Sequence, residues 1–125
     1  MKYLNKPVHY LQKDDFDANG NLINPNIPKN IPTLIMIQAN FCGHCVTAKP
    51  TYQELANEMD GKVFFATIQG DGTEPGEKEL GDMLNTIDKS FRGFPTYIAY
   101  HNGKRTVHKG GRSVDDLKKF ISQLN

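Results

Sequence analysis

The chain has 125 residues, with 15 basic and 14 acidic side chains and a net charge of +1. That length supports one hydrophobic core and no second, so residues 1–125 read as a single domain. The balanced charge, without any run of lysine or arginine, excludes a protein that tracks a nucleic-acid backbone.

Residues 1–10 contain no apolar core of the kind a secretory signal needs, and no segment approaches the ~20 apolar residues of a membrane-spanning helix. The last residues, Ile121-Ser122-Gln123-Leu124-Asn125, are not a Lys-Asp-Glu-Leu retention signal. A soluble, cytoplasmic monomer is therefore expected, with no membrane or nucleic-acid partner; the endoplasmic reticulum and the virion stay open as locations.

Residues 8–11 suggest a short first strand. Residues 14–32 are crowded with Asn, Asp, Gly and Pro, show no helical period, and read as an ordered loop with a turn at Asn19-Gly20. Residues 33–39 are an almost unbroken apolar run, the pattern of a central strand buried on both faces. From 42 to 59, Val46, Ala48-Lys49, Tyr52, Leu55-Ala56 and Met59 recur at helical spacing, with Pro50 expected to bend the helix and Gly61 to end it. Residues 62–68 then form a second buried strand parallel to the first, closing a βαβ unit.

Pro75 opens one further helix that runs to Ile87, with Leu80, Met83-Leu84 and Ile87 on one face. Residues 96–101 and 104–108 flank Asn102-Gly103, a strong hairpin signal. After a bend at Gly110-Gly111, Ser113 and Asp116 cap a last helix that carries Leu117, Phe120-Ile121 and Leu124 inward. This order implies an α/β fold with a mixed central sheet flanked by helices.

The chain's two cysteines sit in Cys42-Gly43-His44-Cys45, one helical turn apart. A strand that ends near Ala39 delivers Cys42 to the first turn of a helix, where free N–H groups and the helix dipole favour a thiolate. Cys45, on the same face but one turn deeper, reads as the resolving thiol. His44 is placed to stabilise the Cys42 thiolate as imidazolium or as an N–H donor, which makes the disulfide a better oxidant. The expected chemistry is exchange with protein thiols and disulfides, needing no cofactor but needing a redox partner to recycle the pair.

Competing readings of these residues are weaker. A zinc site lacks a second cysteine pair, and His101 and His108 have six residues between them rather than three to five. An inert structural disulfide across so small a loop removes little unfolded-state entropy. Asp15, Asp17, Asn19 and Gly20 begin like a calcium loop, but Asn26 stands where a bidentate glutamate belongs and Pro25 opposes an exiting helix, so an Asx-type turn is the simpler reading. No metal is expected.

Phe41-Cys42-Gly43-His44-Cys45, Pro50 five residues beyond Cys45, and Arg92-Gly93-Phe94-Pro95-Thr96 together resemble the thioredoxin fold. The Cys-Gly-His-Cys sequence is similar to the catalytic domains of protein disulfide isomerase. The similarity runs from about residue 33 to the end and leaves residues 1–32 as a divergent N-terminal strand and loop. It implies formation or isomerisation of protein disulfides through a redox-active Cys42–Cys45 pair. It also implies a cis Phe94–Pro95 bond against the cysteines and a substrate surface built from Phe41, Phe94, Pro95 and the bend at Gly110.

Three positions depart from that pattern. Met36 stands six residues before Cys42, where the family usually buries an acid, and Thr67 stands where a lysine commonly partners that acid. Loss of both leaves no unpaired buried charge. Proton removal from Cys45 then falls to water, His44 or a loop carboxylate. Phe41 replaces the usual tryptophan. Two rival functions follow: a thioredoxin-like cytosolic reductant of protein disulfides, and a non-catalytic module that holds peptides in the Pro95 groove.

Overall fold

The structure, a computed structural model, describes residues 2–124. Five strands form one sheet: β1 (His9–Tyr10), β2 (Thr33–Gln38), β3 (Phe64–Gln69), β4 (Thr96–His101) and β5 (Lys104–His108), in the order β1-β3-β2-β4-β5. β2 pairs in parallel with β3 and antiparallel with β4, so the sheet is mixed, as the sequence implied. All of Thr33–Gln38 is buried. Because side chains alternate across a strand, Leu34 and Met36 enter one core and Ile35 and Ile37 the other.

The two cores hold four helices against the sheet. α1 (Gly43–Glu58) and α4 (Val114–Ser122) cover one face, with Tyr52 and Leu55 from α1 and Leu117 and Phe120 from α4 packed on Phe65 and Tyr97. α2 (Pro75–Gly81) and α3 (Leu84–Ile87) cover the other through Leu80, Leu84 and Ile87. The Tyr52 hydroxyl lies 2.8 Å from the Leu34 carbonyl oxygen and 2.7 Å from that of Ala66, tying α1 to the two strands that carry the site. α1 continues through Pro50. α4 is capped as expected, Ser113 Oγ accepting the Asp116 N–H at 3.0 Å.

Several boundaries differ from the expected ones. β1 is limited to two residues, and β3 starts at Phe64 rather than 62. The single helix expected to reach Ile87 is two helices. At Gly81 a Cβ would stand 2.8 Å from the Gly70 carbonyl oxygen, so the helix passes against the β3–α2 loop at a point only glycine fits. Glycine is also a poor helix former, and the chain turns at Asp82 before α3 resumes.

The 14–32 loop is ordered by contacts that lie far away in sequence. Phe16 and Ile27 are buried in the second core, and a 3-10 turn (Lys13–Asp15) begins the segment. Arg105 Nη1 donates to the Thr86 carbonyl at 3.0 Å and Nη2 to Asn21 Oδ1 at 2.8 Å, while the Tyr100 hydroxyl donates to the Gly20 carbonyl at 2.7 Å. Asp17 Oδ1 accepts the N–H groups of Asn19 and Asn21, both at 2.9 Å, which is the Asx-type turn. In the hairpin, Asn102 (φ 52°) and Gly103 (φ 77°) both take the left-handed conformation that its two-residue turn requires. Among the described residues, no helix is long and apolar enough to cross a membrane.

Candidate redox-active site

β2 ends at Gln38, and residues 39–41 carry the chain off the end of the sheet to Cys42, the N-cap of α1. Its backbone is extended (φ −91°, ψ 117°) and its Sγ accepts the Cys45 N–H at 3.3 Å. A sulfur thus takes the place usually filled by a serine or aspartate oxygen at a helix start, facing otherwise unpaired amides. Cys42 Sγ also lies 3.5 Å from the Phe94 carbonyl oxygen, within reach of its S–H. Both cysteines are free thiols; Cys42 is partly exposed and Cys45 buried.

The two thiols are driven in opposite directions. Burial works against charge on Cys42, but the Cys45 thiol, the backbone amides of Cys45 and His44, and the Arg112 charge outweigh it and hold Cys42 below its ordinary value. Burial pushes Cys45 up to about 12; its hydrogen bond to Cys42 and the charge there add to the rise, against the Ala39 amide and Lys49. One sulfur is therefore ready to attack, while the other keeps its proton.

The platform beside Cys42 is aromatic. Phe41 is 74% exposed and meets Phe94 edge-to-face, with ring centroids 5.7 Å apart, and Phe94 meets Phe91 at 5.3 Å. The Phe94–Pro95 bond is cis. An open cleft of about 450 Å³ flanks this bond, lined by Arg92, Thr96, His108 and Lys109 among others. Another cavity, of about 420 Å³, opens between the 21–33 loop and the hairpin, at the end of the sheet away from the sulfurs.

Gly70 seats the Phe94 ring. A Cβ at Gly70 would stand 2.5 Å from Phe94 Cε1 and Cζ, so alanine there must displace the ring. Gly70→Ala is expected to lower kcat/KM for a protein disulfide more than for a small aromatic disulfide, because only the larger substrate needs the platform. Equal losses on both substrates would show that Phe94 takes no part in holding the protein.

The structure brings Phe41, Cys42, Cys45, Phe94 and Pro95 together. Gly43 and His44 are exposed on the first turn of α1, and His44 acts on Cys42 through its backbone amide. Gly110 is exposed in a bend closed by His108 Nε2, 2.7 Å from the Gly111 carbonyl oxygen. The charge reaching Cys42 from this bend is that of Arg112.

Sequence reasoning passed over Arg112 and a partly buried polar cluster, Lys49, Asn40 and Asp71. The available signal was Lys49's place four residues after Cys45, on one face of the helix. Met36 and Thr67 are fully buried register partners, and the Thr67 hydroxyl donates to the Met36 carbonyl at 2.7 Å. No charge is needed at either position.

The thioredoxin family model matches residues 7–123. The thioredoxin-like protein 453L of Invertebrate iridescent virus 6 is 48% identical, over 97% of this chain and 96% of that protein. Protein disulfide-isomerase of Saccharomyces cerevisiae is 35% identical over 78% of this chain, which spans only 18% of its length. Among solved structures, chloroplastic thioredoxin z superposes with a TM-score of 0.67 over 98% of this chain and 96% of that one, at 17% identity. That likeness concerns the fold alone. From the family match and the near full-length relative, the chain belongs to the thioredoxin family and carries that family's thiol–disulfide oxidoreductase fold.

Proposed function

We propose that the protein forms and isomerises disulfides in protein substrates. Cys42 attacks a substrate disulfide, or its disulfide with Cys45 accepts a substrate thiolate, and a mixed disulfide results. When Cys42 began as the thiolate, a substrate thiol displaces it and completes an isomerisation, or Cys45 displaces the substrate and leaves it reduced; when the pair began as the disulfide, a second substrate thiol displaces Cys42, so the substrate gains a disulfide and the pair is left reduced. The exposed Phe41 and the cleft beside Pro95 supply an apolar and a polar wall for an extended substrate segment.

The observation that carries the direction of the reaction is the seat of Cys42 at the start of α1, where its Sγ accepts the Cys45 N–H at 3.3 Å and a thiolate is favoured. Anything that stabilises the reduced form makes the disulfide a stronger oxidant. The reference potentials are about −270 mV for thioredoxin and about −180 mV for protein disulfide isomerase. Equilibration with a glutathione buffer is expected to place this pair above the thioredoxin value, toward that of the isomerase. A potential at or below thioredoxin's would overturn the proposed direction.

The second reading is a thioredoxin-like reductant, favoured by the match to protein 453L over nearly its whole length. Its signature is rapid turnover of an insulin disulfide with a thioredoxin reductase as recycling partner. Failure as a substrate of that enzyme counts against it.

A further inference from the structure

Once Cys42 is bound to a substrate, Cys45 must lose its proton, and the acid that the family usually buries for this purpose is Met36 here. Another charged cluster starts on the face of α1 that carries the buried sulfur. Lys49 follows Cys45 by four residues on α1 and is only 4% exposed. Its Nζ donates to Asn40 Oδ1 at 2.6 Å and lies 5.0 Å from the centre of the Tyr3 ring. The Asn40 backbone N–H donates to Asp71 Oδ2 at 2.9 Å. Among the described residues, Asp71 Oδ1 is buried without a hydrogen-bond partner.

Asn40 thus links an ammonium on α1 to a carboxylate in the loop after β3, both beside the point where the chain leaves β2 for Cys42. A buried lysine is costly unless negative charge compensates it. Asp71 supplies a standing charge and Cys45 a transient one.

We propose that Lys49, held by Asn40 and linked through it to Asp71, is a positioning cation that stabilises the Cys45 thiolate when Cys45 displaces the substrate. The proposal rests on Cys42 as the exchanging nucleophile. In this step the Cys45 Sγ–H bond gives its proton to a solvent base and its electron pair forms the Cys45–Cys42 bond. The Cys42–substrate S–S bond breaks, and the departing substrate sulfur takes up a proton. Cys45 is oxidised to the disulfide level and the substrate sulfur is reduced.

The forces on these groups explain the timing. Burial drives Lys49 down, while Cys45, Asp71 and then Cys42 hold it up. In the free dithiol, the hydrogen bond to Cys42 and the Cys42 charge both help keep Cys45 protonated. Substrate attached to Cys42 removes both, leaving burial opposed by the Ala39 amide and Lys49. The second sulfur is released when its attack becomes useful. The other titratable groups acting at the pair are Arg112 on Cys42, and Tyr97, whose buried hydroxyl stays neutral and interacts with Cys45.

The test uses the full chain and dipyridyl disulfide, an uncharged probe whose attachment to Cys42 and displacement by Cys45 each release one chromophore. Lys49→Met and Lys49→Gln are expected to slow the second release at pH 7 by about tenfold, the change in thiolate fraction that one pKa unit makes. The first release changes less, and Lys49→Arg recovers most of the second. Lys49→Gln keeps length and a hydrogen-bonding end, so it serves if the methionine variant does not fold. A second release at the wild-type rate in the glutamine variant overturns the proposal, as does equal slowing by arginine and glutamine. A wild-type protein with no rapid first release overturns the underlying reading of Cys42 instead, and the proposal with it.

Discussion

Cys42→Ser reduces protein disulfide exchange to the uncatalysed background, whereas Cys45→Ala stops net oxidation and reduction but leaves exchange at Cys42 intact. The asymmetry follows from position. Cys42 is the partly exposed N-cap sulfur, and Cys45 is buried beneath it. Serine at the cap keeps an acceptor for the Cys45 amide, so helix α1 survives while the nucleophile is gone. In Cys45→Ala, substrate becomes trapped on Cys42 unless a thiol of its own releases it. Insulin reduction and refolding of scrambled ribonuclease separate the two variants, and the trapped species appears by mass as a covalent adduct. Activity unchanged in the double variant Cys42→Ser/Cys45→Ser would mean that the fold serves as a binding module without redox chemistry.

The second large effect is on stability. Met36→Glu places a carboxyl in a fully buried position on β2, beside fully buried Thr67 on β3, with no cation supplied. An uncompensated buried charge costs about 3–5 kcal/mol. The carboxyl's folded-state pKa is expected to rise well above its unfolded value, because burial disfavours the charged form. The penalty is therefore small below the unfolded pKa of about 4.3 and grows as the pH rises from there through the folded pKa. Urea unfolding at pH 4 and pH 7 should show the loss mainly at pH 7, and Thr67→Lys added to Met36→Glu should recover part of it. Equal losses at both pH values would show that position 36 is not dry.

Much of the fold was legible because its signals are local. The apolar run of β2, the Asn102-Gly103 turn and the Ser113 cap each specify a conformation within a few residues. The Cys-Gly-His-Cys spacing, with Phe94-Pro95-Thr96, was enough to name the chemistry. What stayed hidden depends on distant approach. Gly81, the last residue of α2, lies against the Gly70 carbonyl, and the chain turns just beyond it at Asp82. The 14–32 loop is held by Arg105 and Tyr100 from the hairpin, residues that carry no mark of that role in sequence. Lys49 counted there only as part of a helical stripe; its buried ammonium acquires meaning once Asn40 and Asp71 are seen beside it. Arg112 likewise follows a glycine pair that signals a bend but not its nearness to a sulfur.

The most direct measurement is site-by-site alkylation of the reduced protein across pH, with each cysteine followed by mass. The account predicts that Cys42 reacts with a midpoint below that of an ordinary thiol, while Cys45 resists alkylation until the pH nears about 12. Cys42 titrating at or above the ordinary value, or both sulfurs reacting alike, would contradict it.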